Sequence, residues 1–285
     1  MSILPFTTTT MLSLDTNRIT ELYAWVDDHA PREQTGQVGR PRALSTSEVV
    51  TILVWNVIMI RQRTLKDIYR WIKCYHHQEF PTLPAYNCFL VACQRALPVM
   101  WVLLEQLLRH DAPLVFVDST MMPVCKLVRA DRHKVAVSIA QFGKNHQGWH
   151  YGLKGHLAVD VRGRLCQVVF TPANVHDGQV LPWLVNKQMT IAVGDSHYGA
   201  TVMRQQIWER FHVAVFSRPH YTQRKKILTL WQEQLLEWRS IVESTFDYLK
   251  DHLNLVTSFP RSITGYFVHY VRILLGYQIL ALELA

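Results

Sequence analysis

The chain has 285 residues, enough for one large domain or two of medium size. Hydrophobic residues make up 49% of it and charged residues only 18%, which excludes a disordered or coiled-coil protein. The net charge is +8, and such a basic excess favours acidic partners such as nucleic acid or anionic surfaces.

The cysteines and the N-terminal residues indicate the cellular compartment in which the protein is expected. Five cysteines lie far apart and form no CxxC pair, so they are predicted to be reduced thiols. The first 15 residues lack the basic and then apolar segments of a secretory signal. The most apolar run, residues 49–60, is well short of the ~20 residues that span a membrane. We therefore expect a soluble, cytoplasmic protein without a membrane partner.

Residues 1–110 are predicted to form an all-α N-terminal domain, for which we expect a DNA-binding role. Ser45 and Glu48 have the spacing of a capping box ahead of the apolar run. The segment 37–42 is read either as a basic arm for a minor groove or as a plain linker. Apolar positions three and four apart indicate five helices, over residues 17–29, 49–60, 64–76, 86–96 and 99–109.

Residues 111–285 change character and are predicted to form an α/β domain. Short β-rich runs alternate with helical ones, which indicates a sheet with helices packed on it. The predicted strands cover residues 114–117, 154–161, 165–171, 191–193 and 213–216. The predicted helices cover residues 200–210 and 230–255 and a tail, 266–282, that packs back on this domain.

Three acidic residues are the strongest candidates for chemistry. Asp118 and Asp195 each end an apolar run, which predicts a carboxylate where a strand leaves the sheet. Glu243 lies on the predicted helix 230–255, where Arg239 and Lys250 share its face because offsets of 4 and 11 residues nearly complete whole turns. Carboxylates with few other ligands suit Mg²⁺, and two such ions support in-line phosphoryl displacement. In this interpretation Arg239 and Lys250 meet the phosphodiester.

Taken one at a time, these acids have ordinary explanations. Asp118 and Asp195 would be turn or cap residues, and Glu243 a surface acid paired with Arg239. Their occurrence in order, each within a matching local context, favours the catalytic interpretation.

The combined motifs resemble bacterial insertion-sequence transposases of the DDE type. The resemblance covers roughly residues 111–275. Many relatives have a tyrosine three residues before the arginine, where this chain has Leu236. The motifs are VDST around Asp118, TPANVHD ending at Asp177, GDSHYG around Asp195, and Arg239, Glu243 and Lys250.

This resemblance implies an RNase H-like mixed sheet flanked by helices. It also implies that Asp118, Asp195 and Glu243 are both the catalytic residues and the ligands of two Mg²⁺ ions, with Mn²⁺ able to substitute. The expected partners are double-stranded DNA, as terminal inverted repeats and target, and further copies of the chain in a homodimer or higher oligomer. The expected location is the bacterial nucleoid. Residues expected to shape the surroundings of the acids are Asn174, His176, Asp177 and Tyr198.

Several features remain open to a second interpretation. Residues 174–178 could equally be a turn leading into a helix. Arg224, Lys225 and Lys226 are predicted to grip DNA, against the alternative of a solvated loop. His146, His150 and His156 could indicate zinc, but without a cysteine or HExxH partner we favour solvated or DNA-facing histidines.

Two other functions compete with the transposase hypothesis. An esterase using Ser196 lacks a GxSxG motif. A catalytically silent, transposase-derived DNA-binding protein would not need all three carboxylates, yet an intact site can be silenced by a folding or assembly defect.

Overall fold

The computed structural model describes residues 16–32, 41–218, 228–257 and 260–282. Within these residues, the chain before the sheet is helical and irregular only, which confirms the predicted all-α region and its five helices. They are α1 (Thr16–His29), α2 (Thr46–Trp55), α3 (Leu65–Tyr75), α4 (Tyr86–Arg95) and α5 (Leu97–Leu107), and α2 continues as a π-helical turn over Asn56–Ile60.

Helix α2 lies at the centre of this region. Ser45 and Glu48 form the predicted capping box, with the Ser45 N–H donating to Glu48 Oε2 at 2.6 Å and the Glu48 N–H donating to Ser45 Oγ at 3.1 Å. All residues of α2 except Glu48 are buried. A helix that is apolar on all sides is stable in water only inside a core, and α1 and α4 pack against this one.

Helices α4 and α5 meet at a 44° bend. Among the residues that the structure describes, no single helix is both long and apolar enough to cross a membrane, although α4 and α5 counted together across the bend reach that length and composition.

Six strands in the described ranges form one mixed sheet with the order β2-β3-β1-β5-β6, and β4 also pairs with β3. β1 is antiparallel to β3 and parallel to β5, which in turn is parallel to β6. This sheet, flanked by helices and preceded by an all-α region, confirms the predicted RNase H-like α/β fold. The strands are β1 (Leu114–Pro123), β2 (Gln141–Asn145), β3 (Gly148–Val159), β4 (Leu165–Pro172), β5 (Ile191–Gly194) and β6 (Ala214–Ser217).

The two faces of the sheet bury separate clusters because neighbouring strand residues point to opposite sides. On one face, Phe116 joins a continuous core that includes the N-terminal helices. On the other, Val115 and Val117 pack with α6. The remaining helices are α6 (Asp177–Leu184), α7 (Thr201–Phe211), α8 (Leu230–Trp238), α9 (Ser240–Asp247) and α10 (Ile263–Ala281). β2 is polar and has no counterpart among the predicted elements, and α6 is the helix into which the turn at residues 174–178 could lead.

Helix α10, the predicted tail, contacts both halves of the chain. It packs along α5 and α2, and the Tyr277 hydroxyl donates to the Gly163 carbonyl at 2.7 Å. Gln278 is fully buried: its amide donates to the Leu107 carbonyl at 2.7 Å and its Oε1 accepts from the Leu165 N–H at 2.7 Å. One side chain therefore joins α5 to the start of β4. The division into domains at residue 110 stays a prediction.

The predicted continuous helix over residues 230–255 is wrong. The structure has α8 and α9, which meet at Arg239, and then a π-helical turn over Tyr248–His252. Each interruption alters the helical register only slightly, so the spacing of apolar residues does not reveal it.

Replacing Gln278 with leucine should lower the free energy of unfolding by about 2–6 kcal/mol, because two backbone groups, the Leu107 carbonyl and the Leu165 N–H, lose their partner at about 1–3 kcal/mol each. Urea denaturation measures this. Leu274→Met in the same helix keeps its volume and should cost less than about 1.5 kcal/mol. Equal effects of the two substitutions would contradict the role given to the Gln278 hydrogen bonds.

Candidate active site

Asp118 lies in the middle of β1, so the prediction that it ends a strand is wrong. The apolar run stops there, but antiparallel pairing with β3 continues for five more residues, to Pro123 opposite Gly152. Ser119 and Thr120 are polar and still part of the strand, which hydrophobicity alone does not show. The side chain of Asp118 is 20% exposed and accepts a hydrogen bond from the Ser119 N–H at 2.8 Å.

Asp195 directly follows β5, as predicted. The parallel register pairs Phe116 with Val193. Two residues further along each strand, Asp118 and Asp195 therefore take equivalent positions on the same face of the sheet. β5 has ended at this point, while β1 continues.

Arg239 connects Asp118 to Glu243. Its Nη1 lies 3.3 Å from Asp118 Oδ2, and its Nη2 is hydrogen-bonded to Glu243 Oε1. Arg239 and Glu243 share one helix face, as predicted, and they form the ion pair of the ordinary explanation for Glu243. The same guanidinium brings the third acid to the sheet. Val242 and Phe246, both buried, hold α9 against the core.

Burial raises the pKa of Asp118 to about 6, and the charges of Asp195 and Asp177 add to this. The hydrogen bond from Ser119 and the charge of Arg239 oppose the rise in pKa. Asp118 is thus a carboxyl group whose ionised form lacks sufficient positive charge nearby, and an added cation would favour that form.

The donor set fits a hard divalent cation. Asp118, Asp195 and Glu243 offer carboxylate oxygens, the ligands that Mg²⁺ prefers. In the described part of the chain, no three acidic, histidine or cysteine side chains already lie at ligand spacing. Protein groups hold the oxygens instead: Arg239 at Asp118 and Glu243, and His197 at Asp195.

His197 holds both oxygens of Asp195. The ring Nδ1 of His197 lies 2.7 Å from Asp195 Oδ2, and the backbone N–H of His197 donates to Asp195 Oδ1 at 2.9 Å. The hydrogen bond with Asp195 raises the pKa of His197, which favours the charged imidazolium beside the carboxylate. The ring of His176 lies 5.8 Å from that of His197, centroid to centroid.

Residues 174–178 form a turn that leads into helix α6, which is the second interpretation that their sequence allows. Asn174 is exposed in the turn, and His176 caps α6 by accepting a hydrogen bond from the Gly178 N–H. Asp177, the first residue of α6, pairs with Lys154 Nζ at 2.8 Å. Asp177 adds to the raised pKa of Asp118, whereas the influence of Asn174 and His176 on the acids stays a prediction.

Lys154, which the sequence did not single out, and His156, which was expected to face solvent or DNA, both contact Asp177. Both are buried in β3, and Lys154 also donates to the Val175 carbonyl at 2.8 Å. His156 is fully buried and bonds Thr171 Oγ1 through Nε2 at 2.9 Å, so the expectation that it is solvated or DNA-facing is wrong. Burial lowers the pKa of His156 to about 4, which keeps it neutral. The sequence signal for these two residues was a lysine and a histidine two positions apart, flanked by leucine and glycine in a predicted strand.

Tyr198 supports the sheet beneath the acids. Its ring packs on Gly194, where an added Cβ would lie 2.6 Å from Tyr198 Cδ2, so only glycine allows this approach. The phenol is buried, and its oxygen has no hydrogen-bond partner within the described residues. Burial raises its pKa well above the usual value, with Asp177, Asp118 and Asp195 adding to the effect.

The other predicted DNA-binding residues lie away from this contact network. Lys250 is in the π-helical turn after α9, with Nζ 5.6 Å from the centroid of the Phe246 ring. Leu236, at the position where many similar transposases have tyrosine, is buried in the core. Arg224, Lys225 and Lys226 are outside the described residues.

Comparison with known proteins identifies the family of the chain. A family model described as a transposase DDE domain matches residues 110–263, more than half of the chain and a range that includes all three acids. No curated protein matches the chain.

Asp118→Asn should stabilise the fold near neutral pH but not in acid. The folded-state pKa of about 6 exceeds the ordinary 3.8, so the ionised carboxylate destabilises the fold progressively from pH 4 to pH 6 and constantly above. The gain above pH 6 should reach up to about 3 kcal/mol, since a difference of one in pKa is worth about 1.4 kcal/mol.

Chemical denaturation between pH 4 and pH 8 measures this difference. The exposed Asp131→Asn serves as a control and should change stability by less than about 0.5 kcal/mol throughout. A stability difference for Asp118→Asn that does not vary with pH would show that the carboxyl ionises normally.

Proposed function

Because the chain belongs to the transposase DDE domain family, we propose that it is the transposase of an insertion sequence. It binds the terminal inverted repeats, cleaves the DNA at the element ends and joins the freed 3′-hydroxyl to target DNA. The observation that carries this proposal is the register of β1 and β5, from which Asp118 and Asp195 follow at equivalent positions on one face, together with Arg239, which links Asp118 to Glu243.

The three acids are the proposed metal ligands. Transposase DDE domains generally use divalent metal ions. Bound there, Mg²⁺ would activate the attacking oxygen and stabilise the leaving oxygen, and Mn²⁺ would substitute. Before a metal ion replaces these partners, Arg239 keeps Asp118 and Glu243 together and His197 fixes the orientation of Asp195. Released from the carboxylates, Arg239 would face the phosphodiester.

The two chemical steps are phosphoryl transfers that balance without an oxidant or reductant. In the first, the oxygen of a water forms a bond to phosphorus and the bond from phosphorus to the 3′ oxygen breaks, with one proton passing to that oxygen. In the second, the freed 3′-hydroxyl attacks a target phosphorus, loses its proton, and a target 3′ oxygen leaves and takes one up.

The residues around the acids are proposed to hold neighbouring groups of the site in place. Lys154 holds Asp177 at the start of α6, and Tyr198 packs beneath β5. Lys250 is proposed to contact DNA, as are Arg224, Lys225 and Lys226. Joining two element ends requires at least two active sites, so we propose a homodimer or higher oligomer on DNA, at the nucleoid.

The test is incubation of the full chain with labelled DNA that carries the ends flanking its gene, with and without Mg²⁺. We expect metal-dependent nicking at the boundary, reduced at least about 100-fold by Asp118→Asn or Glu243→Gln, because metal-assisted stabilisation of the transition state is worth several kcal/mol.

Glu209→Gln, at an exposed position of α7, is the matched control and should nick normally. A gel-shift assay on the same DNA separates binding from cleavage. Binding without nicking by the unaltered chain would indicate the alternative function, a catalytically silent DNA-binding protein. Nicking that survives both substitutions would refute the assignment of the three acids.

A further inference from the structure

A cavity of about 500 Å³ lies beyond the acids, where the N-terminal helices meet the end of β1. Its lining comes from four separate parts of the chain: the segment before α3, the residues that end and follow β1, strand β3, and the residues from the π-helical turn onward. The lining residues that matter most are Arg63, Lys126, His150, Lys250 and Asn254.

The cavity is strongly basic. Three of its lining residues are lysine or arginine, and none of the described residues that line it is acidic. Arg63 and Lys126 are exposed to solvent and Lys250 is half-buried. The positive surface continues past Lys126 onto the 3₁₀ turn Leu127–Arg132, which contributes exposed Arg129 and Arg132 against one aspartate, Asp131. Such a surface attracts phosphate groups.

Helix α10 holds two walls of the cavity in place. Arg272, fully inside the core, donates to the Arg63 carbonyl at 3.4 Å, and His269 bonds the Asn254 carbonyl at 2.9 Å. The two side chains also contact each other, with Arg272 Nη2 3.2 Å from His269 Nδ1. The backbone that carries Arg63, and that at Asn254, is therefore fixed before a ligand arrives, which lowers the entropic cost of binding.

The distance from the acids suits a DNA strand. Lys250 follows Glu243 by seven residues, or about 10 Å of helix. Pro123, at the cavity wall, follows Asp118 by five residues, or about 17 Å of strand. These lengths correspond to about three to five base-pair steps of 3.4 Å.

We propose that this cavity binds backbone phosphates of the DNA about three to five base pairs from the cleaved bond, with Arg63, Lys126 and His150 added to Lys250 as contacts. The inference rests on the proposed function for its DNA substrate. Because Arg63 precedes α3 and Lys126 follows β1, binding here would hold the helical region and the catalytic sheet on one duplex.

The test is the salt dependence of DNA affinity, measured by fluorescence anisotropy with the full chain, a short duplex of unrelated sequence and no divalent metal. Replacing Arg63 and Lys126 together with alanine should reduce the slope of log affinity against log salt by about 1.8, at about 0.9 for each lost phosphate contact. Replacing exposed Lys187 and Arg210 removes the same charge elsewhere and should change the slope by less than about 0.5.

An unchanged slope, or one that falls equally in the control, would overturn the inference while leaving the proposed function intact. A chain that binds no duplex would refute both. Pyrophosphate, titrated calorimetrically, distinguishes a small-anion site: tight binding that the double substitution abolishes, with an unaltered DNA slope, would also overturn it. Thermal melting verifies folding, and glutamine at both positions is the second variant should alanine destabilise the chain.

Discussion

The parallel register between β1 and β5 is the constraint on which the candidate active site depends. Asp118 and Asp195 are 77 residues apart, and the paired residues of the two strands, such as Phe116 and Val193, are separated by that same number. A slip of one residue would turn one carboxylate to the opposite face, among the apolar side chains packed on α6. The buried residues of both strand faces therefore also determine that Asp118 and Asp195 lie on one face of the sheet.

The same arrangement brings acidic and cationic side chains together at the site. Burial and neighbouring acids make Asp118 reluctant to ionise, and Arg239 compensates only in part. His197 at Asp195 and Lys154 at Asp177 provide further positive groups, each within 3 Å of its carboxylate. The site is thus held together by cationic side chains of the protein itself, and a divalent ion would compete with Arg239 and His197 for the oxygens of the three acids.

Much of this could be predicted from the sequence, because capping, apolar periodicity and motif order are local signals. The five N-terminal helices, most of the strands and the one-turn spacing of Arg239 and Glu243 belong to this class. Features that depend on distant partners could not be predicted. β1 continues past Asp118 because β3 pairs with it, and Lys154 acquires its role only when α6 brings Asp177 to it. The break at Arg239 leaves apolar spacing unchanged and so gives no sequence signal.

The most direct test of the site is a crystal structure of the full chain with Mn²⁺, with the metal located by its anomalous scattering. We predict an anomalous peak in contact with the Asp118 carboxylate and with at least one of Asp195 and Glu243, and Arg239 displaced from Asp118. Manganese bound only elsewhere, with the Arg239 contacts to Asp118 and Glu243 retained, would contradict the assignment of these three acids as metal ligands.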